Sequence, residues 1–381
     1  MAYELDESHR QLRRSVREFG NEIVRPAAQR LDESTYPTEV IDAAAARGYV
    51  GPMIPEKYGG GGHDTVAASI IVEELWRADT NIGFVIGISG FPTNVELLLE
   101  HGDEWMRSEW FPKVASAEVA DGIAVTEPDH GSDPAAMETT ATRDGDEWVL
   151  DGTKTYIGNA TKAAYLLVFA KTSPDAGHRG ISIFLVPTDV PGFEAEALTG
   201  KMGTRAGNLG RVELDGARIP ADHLVGEEDR GFYHFMNSLA KGRAIVAAQG
   251  VGAASASLDA ATSYVTEREQ FGQSIGEFQS VRHRIAEMAT RTEAARSLTY
   301  RAATAAENGA DDATDLASRA KLFATEVGFE VADDALQLHG GAGYAGEYPV
   351  ERYVRDVRST RIYEGTSEIQ KNIIADNILP E

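Results

Sequence analysis

The stretch Arg361-Ile362-Tyr363-Glu364-Gly365-Thr366-Ser367-Glu368-Ile369-Gln370, near the end of the 381-residue chain, is the segment from which the fold can be worked out. Ser367 and Gln370 have the spacing of a capping box, which predicts a new helix there with Glu364 in the turn before it. The helix N-terminus favours the carboxylate anion, whereas an apolar pocket would raise its pKa. Glu364 is therefore a candidate general base, although a simple charge near a helix N-terminus is an equally ordinary role.

Composition excludes several other kinds of site. The chain has no cysteine, so disulfides, thiol nucleophiles and Cys-ligated metal sites are excluded, and its nine histidines form no H-E-x-x-H pattern. We therefore expect no metal site. The net charge of -24 argues against nucleic-acid binding, because phosphate contact needs a basic face. The acidic residues are spread along the chain, and screening ions relieve the resulting repulsion, so we expect a halophilic protein from a salt-rich cytoplasm.

The sequence carries no sign of export or membrane insertion. No run of 18 or more apolar residues is present, so we expect no membrane span. The first eight residues lack the basic and apolar regions of a signal peptide. A cytoplasmic protein is therefore expected.

The pattern of apolar residues divides the chain into three parts. Residues 1–120 are predicted to form an N-terminal α-helical domain, with one helix from about Thr65 to Arg77 and a buried apolar helix from about Ile82 to His101. Residues 121–230 contain short β-rich runs split by turn residues, which predicts an antiparallel sandwich or barrel. Residues 231–381 return to long Ala-rich helices, which predicts a bundle. The fold class is therefore α+β multidomain.

The terminal R-I-Y-E-G-T-S-E-I-Q stretch resembles the C-terminal signature of the acyl-CoA dehydrogenase family, flavoenzymes that desaturate acyl-CoA thioesters. Four further stretches resemble other motifs of that family, in the expected order along essentially the whole chain. The resemblance implies the acyl-CoA dehydrogenase fold, with an N-terminal helical domain, a central antiparallel β-domain and a C-terminal four-helix-bundle-like domain. It also implies bound FAD.

The first of these stretches, residues 123–133, reads I-A-V-T-E-P-D-H-G-S-D and is similar to the family's T-E-P-x-x-G-S-D signature. The resemblance implies that Val125 and Thr126 line the flavin ring and that Ser132 lies near the pyrophosphate or the acyl-CoA. Taken alone, the stretch is a strand that runs into a turn rich in Pro, Gly, Ser and Asp.

The second stretch, residues 152–160, resembles the family's K-x-[W/F]-I-[T/S]-N-[G/A] strand. The resemblance implies that Tyr156, in place of Trp or Phe, packs against the flavin. Gly158 stands where a Thr or Ser usually hydrogen-bonds near flavin N5, and it can offer only a backbone N–H. We expect this departure to affect the reactivity of the flavin.

The third stretch, residues 267–272, resembles the family's E-R-x-x-F-G turn, which is followed by a Gln. The resemblance implies that Arg268 and Phe271 reach the FAD of a neighbouring subunit, and that Gln270 and Gln279 also bind FAD. The planar fork of an arginine suits a pyrophosphate, although a surface ion pair is the more common role of such a residue.

The fourth stretch, residues 337–346, contains a G-x-G-x-x-G, but a helical pattern precedes it, so it is not a dinucleotide-binding Rossmann motif. The resemblance implies that Gln337 and Gly341 let the backbone approach the adenosine end of FAD. Ser318 and Lys321 form an S-x-x-K pattern, to which we assign no function.

In some members of the family the catalytic Glu immediately precedes the arginine that matches Arg243. Here that position is Gly242, so the chain resembles the short/medium-chain-like branch whose base lies in the Y-E-G-T turn. The resemblance implies that Glu364 removes the α-proton and that three residues contact the acyl-CoA beside Ser132, namely Arg243, Tyr363 and Gly365. It also implies that Thr366 and Glu368 contact FAD.

The implied reaction is the oxidation of a saturated acyl-CoA to the trans-2-enoyl-CoA, in fatty-acid or branched-chain amino-acid breakdown. The implied partners are an electron-transferring flavoprotein and three further copies of the chain in a homotetramer. Two alternatives stay open. One is another flavin chemistry on the same fold, such as an acyl-CoA oxidase, an enoyl-CoA reductase or a nitroalkane-type oxidase, and the other is a non-catalytic scaffold. The acyl chain can be short, medium or branched.

Overall fold

The structure is a computed structural model that describes residues 5–379. Its N-terminal part is helical, as predicted. In the described range, the helices before the sheet are α1 (Glu7–Phe19), α2 (Arg25–Arg30), α3 (Thr38–Ala45), α4 (Thr65–Ala78), α5 (Thr80–Ile88), α6 (Pro92–His101) and α7 (Glu104–Ala115). A π-helical turn, Gly20–Val24, joins α1 to α2. Gly20 packs against α4 so closely that an added Cβ would lie 2.8 Å from the Cβ of Ala78.

The single helix predicted from about Ile82 to His101 is wrong, because Ser89, Gly90 and Phe91 separate α5 from α6. Gly90 has φ +60°, a conformation that side-chain-bearing residues rarely adopt. An added Cβ there would lie 2.5 Å from the Cα of Gly51. A close approach between two distant segments therefore ends α5.

The central part is a sheet of seven strands, which are β1 (Ala120–Ala124), β2 (Thr140–Asp144), β3 (Glu147–Gly158), β4 (Ala163–Lys171), β5 (Ile181–Pro187), β6 (Phe193–Ala197) and β7 (Leu209–Pro220). Most neighbours pair antiparallel, as predicted, for example β4 with β5 and β3 with β7. The exceptions involve β4, which pairs with β1 in parallel and meets β2 at one parallel pair. The expected β-domain is therefore present, but its sheet is mixed.

Strand β4 is apolar up to its last residue, Lys171, because both of its faces are buried. Its residues Tyr165, Leu167 and Phe169 join the core shared with the helices. The alternate residues, Leu166 and Val168 among them, join a second core within the sheet, around Trp148. The period of two in a strand sends neighbouring side chains to opposite faces, so one strand contributes to both cores.

After the sheet the chain is again mainly helical, which confirms the predicted fold class. The helices are α8 (Gly231–Glu267), α9 (Gln279–Glu307), α10 (Ala313–His339), α11 (Gly341–Tyr344), α12 (Val350–Val357) and α13 (Ser367–Ile378). A small hairpin of β8 (Glu269–Gln270) and β9 (Gln273–Ser274) lies between α8 and α9. The G-x-G-x-x-G segment follows helix α10 rather than a strand, as expected.

Within residues 5–379, two segments are long and apolar enough to cross a membrane by length and composition alone. They are Thr80–His101, which is interrupted between α5 and α6, and Gly231–Glu267. Of their most apolar windows, 67% and 83% are buried inside the protein. Burial of this extent is the usual situation of core helices, and it accounts for their composition without a membrane.

Candidate functional site

The turn that carries Glu364 is held by its own backbone conformation and by two side chains. Glu364 and Gly365 have φ +55° and +87°, so both lie in the left-handed region. The side-chain amide of Gln370 donates to the carbonyl oxygens of Glu364 and Gly365, at 3.0 and 2.9 Å. The ammonium group of Lys321 also donates to the Gly365 carbonyl, at 2.5 Å. A strained backbone held by several donors is a rigid support.

The capping residue of α13 differs from the prediction. The helix begins at Ser367, as expected, but Thr366 is its N-cap and accepts from the Ile369 N–H at 3.3 Å. Ser367 instead donates to Glu326, at 2.7 Å, and Gln370 supports the preceding turn. The predicted capping box of Ser367 and Gln370 is therefore wrong, because both side chains have partners outside the helix end.

The carboxylate of Glu364 points into the protein. The residue as a whole is partly accessible, but its Oε2 atom is buried and has no hydrogen-bond partner in the described range. Burial raises the pKa of Glu364 to about 7, while Arg243, Lys321 and the hydroxyl of Thr93 act to lower it. A carboxyl group with such a pKa can accept a proton near neutral pH.

Two buried cations influence this carboxylate. Arg243, on α8, is 4% exposed, and its Nη1 donates to the Ser318 hydroxyl at 3.5 Å. Burial lowers the pKa of Arg243 and Glu364 raises it. Lys321, on α10, is fully buried. The S-x-x-K pattern, to which no function was assigned, therefore brings Ser318 and Lys321 to the candidate site.

Lys321 is a residue that sequence reasoning missed, although one signal was available. Ala317, Ala320 and Ala324 form a buried stripe on α10, and Lys321 lies on the same face. A lysine on the buried face of an amphipathic helix is rarely without a function or a partner. Gln370 and Thr93, also buried, gave no comparable signal.

The two β-domain stretches lie side by side, since the Thr155 N–H donates to the Thr126 carbonyl at 2.9 Å. Tyr156 has φ +57° and is 65% exposed. Lys154, two residues before Tyr156 on β3, forms a buried ion pair with Glu127 at 2.9 Å. Burial lowers the pKa of Lys154 to about 8, and Glu127 acts to raise it. This internal ion pair ties the 123–133 segment to β3 and leaves the Tyr156 ring facing outward.

The structure explains the glycine at position 158. A Cβ added to Gly158 would lie 2.7 Å from the Cδ1 atom of Ile88, at the end of α5. The adjoining Ser89 hydroxyl is held by the side-chain amide of Asn159, at 3.1 Å. The end of α5 is thereby fixed against β3, and Ile88 fills the space that a hydroxyl-bearing side chain would need.

Most of the remaining candidate residues lie at the surface. Six of them are exposed residues of the C-terminal helical part, namely Arg268, Gln270, Phe271, Gln279, Gln337 and Gly341. Ser132 and Glu368 are also exposed, whereas Val125, Thr126, Tyr363, Gly365 and Thr366 are partly buried. The structure thus brings Tyr363, Gly365 and Arg243 close to Glu364. It leaves the six exposed residues of the C-terminal helical part available to another molecule.

Comparison with known proteins identifies the family. Models of the acyl-CoA dehydrogenase N-terminal, middle and C-terminal domains match residues 6–118, 122–217 and 229–379. A probable acyl-CoA dehydrogenase of Mycobacterium leprae is 38% identical over 99% of this chain and 97% of its own length. The mitochondrial short-chain specific acyl-CoA dehydrogenase of Mus musculus is 37% identical, over 99% and 91%. The structure of butyryl-CoA dehydrogenase from Megasphaera elsdenii has a TM-score of 0.94 at 32% identity, covering all of both chains.

The residues present fit the flavin cofactor that this family uses. A flavin and its adenosine tail need aromatic or apolar surfaces, donors for the pyrophosphate and backbone that can be approached closely. Among its exposed aromatic rings are those of Tyr156 and Phe271, the latter 94% accessible, and the guanidinium of Arg268 is exposed as well. At Gly341 an added Cβ would meet nothing within 4 Å, so this backbone is open. The chain therefore belongs to the acyl-CoA dehydrogenase family of FAD-dependent oxidoreductases.

Proposed function

We propose that the chain oxidises a saturated acyl-CoA to the trans-2-enoyl-CoA, with Glu364 as the base that removes the α-proton. The observation that carries this proposal is the carboxylate of Glu364, buried and unpartnered at Oε2, on a rigid turn and with its pKa raised to about 7. FAD, when bound, supplies the acceptor for the β-hydride at N5. A base of this pKa is ionised in about half of the molecules at neutral pH and becomes a strong enough acceptor once water is excluded.

The α C–H of a thioester is a weak acid, so the base alone is insufficient. We propose that the backbone N–H of Glu364 donates to the thioester carbonyl oxygen and stabilises the negative charge that develops there. Tyr363 and Gly365 flank this position, and the Tyr363 hydroxyl donates to the Gln249 side chain at 2.6 Å. That bond fixes the tyrosine beside the acyl group and keeps the thioester oriented.

The proposed FAD contacts fall into two groups. One group would contact the flavin ring from the β-domain and comprises Val125, Thr126, Tyr156 and Gly158. Ser132 would lie nearer the pyrophosphate or the acyl-CoA, and Thr366 and Glu368 would contact FAD from the start of α13. The exposed group of Arg268, Gln270, Phe271, Gln279, Gln337 and Gly341 would reach the FAD of a neighbouring subunit. Their exposure in the single chain supports this arrangement, and we propose a homotetramer.

We further propose that the substrate belongs to the short- to medium-chain range, in fatty-acid or branched-chain amino-acid breakdown, because two of the similar proteins are a short-chain specific and a butyryl-CoA dehydrogenase. The electron acceptor would be an electron-transferring flavoprotein. We propose a salt-rich cytoplasm as the location, on the basis of the net charge of -24. We also propose domain bounds of 1–120, 121–230 and 231–381.

The test is an anaerobic visible spectrum of the FAD-loaded protein in concentrated KCl during titration with saturated acyl-CoAs of increasing length. We expect the flavin absorbance to bleach with one range of chain lengths, which would identify the substrate. A yellow protein that none of them bleaches would contradict the proposed reaction.

The alternative of an oxidase on the same fold has one observation in its favour, which is the glycine at position 158 in place of a hydroxyl-bearing residue. The two activities differ in how the reduced flavin meets oxygen. Rapid reoxidation by oxygen after reduction with acyl-CoA would indicate an oxidase, whereas slow reoxidation would support a dehydrogenase with a protein electron acceptor.

A further inference from the structure

Lys321 combines full burial with a position beside the proposed base. Its side chain is 0% exposed, and its Nζ donates to the Gly365 carbonyl, one residue after Glu364, at 2.5 Å. Lysine is almost never fully buried unless it is paired, because removing an ammonium group from water is costly. A single backbone carbonyl is a weak compensation for that cost, so a nearby negative charge is expected.

Several carboxylates face Lys321 from the elements packed against it, and they differ in how available they are to balance its charge. Glu326, on the same helix, is already engaged, since its two oxygens accept from Arg361 at 2.6 Å and from Ser367 at 2.7 Å. Glu368 is exposed, so water screens it. Glu364 remains, with a buried and unpartnered carboxylate oxygen.

The other charged and polar groups around Glu364 complete the environment. Arg243 on α8 is the second cation, and it acts against protonation of Lys321 while stabilising the Glu364 anion. Thr93 on α6 is neutral. Burial lowers the pKa of Lys321 to about 7, and Glu364 is the largest influence that raises it again. Lys321 and Glu364 therefore each favour the charged form of the other.

We propose that Lys321 is a positioning residue for the base, and that its ammonium charge favours the ionised form of the Glu364 carboxylate while its hydrogen bond to the Gly365 carbonyl fixes the turn. This proposal rests on the proposed role of Glu364. The two contributions are separable, because Gln370 also donates to the Gly365 carbonyl, at 2.9 Å. When Lys321 is replaced, the turn keeps one donor, but the carboxylate loses a buried positive charge.

The experiment compares Lys321→Gln, which keeps a donor, with Lys321→Met, which keeps an unbranched side chain one heavy atom shorter but neither the donor nor the charge. The measured quantity is the pH dependence of kcat/KM, which reports the ionisation of essential groups in the free enzyme. We expect the pH at half-maximal kcat/KM to rise by roughly one unit or more in both variants, since each removes a buried positive charge that favours the Glu364 anion. Lys321→Met should also have a lower maximal kcat/KM, because it loses the donor to the Gly365 carbonyl as well as the charge.

A matched control is Lys201→Met. Lys201 also donates to backbone carbonyls, those of Thr204 and Gly207, but its charged neighbour is Asp356 rather than Glu364. We expect this variant to keep the pH profile of the unchanged protein. A shift of equal size in the control would show that any loss of a lysine charge moves the profile, and the proposal for Lys321 would fall.

The outcomes separate this proposal from the proposed function. If Glu364→Gln still reduces its flavin with acyl-CoA, the assignment of the base is wrong. If Glu364→Gln is inactive but both Lys321 variants keep the pH profile of the unchanged protein, only the role of Lys321 is refuted. Loss of bound FAD and of cooperative melting in both Lys321 variants would show that Lys321 is a packing residue, and would likewise overturn the proposal.

Discussion

The carboxylate of Glu364 lies against Gly242, so that Oε2 is 3.0 Å from the position that a Cβ at residue 242 would occupy. The Thr93 hydroxyl is closer still to that position, at 2.4 Å. Position 242 on α8 and the turn before α13 thus converge on one small volume. A side chain at position 242 would require the Thr93 hydroxyl to shift and the Glu364 carboxylate to move by a few tenths of an ångström.

Replacement of Gly242 by alanine should therefore disturb the base. We expect Gly242→Ala to lower kcat and to lower the melting temperature, because the new methyl group must displace Thr93 or Glu364. Gly87→Ala, in α5, is the matched control, since its added Cβ would meet nothing closer than 4.0 Å and should be neutral or stabilising by up to about 1 kcal/mol. Rescue of Gly242→Ala by Thr93→Ala would support the steric explanation, and equal tolerance of both single changes would refute it.

Glu364→Gln should keep FAD bound but lose nearly all reduction of the flavin by acyl-CoA, because an amide cannot accept the α-proton. We expect a fall of several orders of magnitude in the rate of bleaching under anaerobic conditions. Dithionite should still bleach the flavin of this variant, which controls for an intact cofactor site. Bleaching by acyl-CoA at a rate close to that of the unchanged protein would show that another group is the base.

The rate of acyl-CoA oxidation should fall as the pH falls through about 7. Burial raises the pKa of Glu364 to that value, and only the ionised form of the proposed base can accept the α-proton. The same pKa shift also sets the direction in which the stability of the fold changes with pH. The pKa is higher in the folded than in the unfolded chain, so the folded state binds more protons between about pH 4.5 and 7. The stability contributed by protonated Glu364 is complete below that range and is lost as the pH rises through 7.

This linkage can be measured by comparing the free energy of unfolding of the unchanged protein with that of Glu364→Gln, which cannot titrate. We expect the unchanged protein to lose stability relative to the variant from pH 5 to pH 7, by up to about 1.4 kcal/mol per pH unit. A constant difference between the two proteins would show that Glu364 has an ordinary pKa.

Gly158→Ser should weaken FAD binding and lower the melting temperature, because the added Cβ would lie 2.7 Å from the Cδ1 atom of Ile88. The double variant with Ile88→Ala should recover both properties in part, since the smaller side chain makes room for the serine. The measurements are flavin content and thermal melting. If Gly158→Ser alone binds FAD and melts like the unchanged protein, Ile88 does not constrain this position.

The melting temperature should rise between dilute buffer and multimolar KCl, because the net charge of -24 repels itself and mobile ions screen that repulsion. KCl should act more strongly than an uncharged osmolyte that raises the melting temperature by exclusion from the surface. An unchanged melting temperature across this range of KCl would refute the expectation of a halophilic protein.

Sequence pattern and the stretch around Glu364 predicted the order of helical, β and helical parts, because helical periodicity and short β-rich runs are local properties. Most of the errors arose where distant segments meet. The break between α5 and α6 depends on the close approach of Gly90 to Gly51. The cap of α13 depends on the hydrogen bond that the Ser367 hydroxyl donates to Glu326 instead of capping the helix. Neither partner is near in sequence, so no local pattern could reveal it.

The sequence by itself determined the residue types that can carry the chemistry, above all a glutamate beside a glycine in a turn before a helix. Only the tertiary structure decided the properties of that glutamate. A pKa depends on burial and on neighbouring charges, and here those charges come from α8 and α10, at Arg243 and Lys321. Sequence separation conceals such neighbours, and the packing of the helices brings them together.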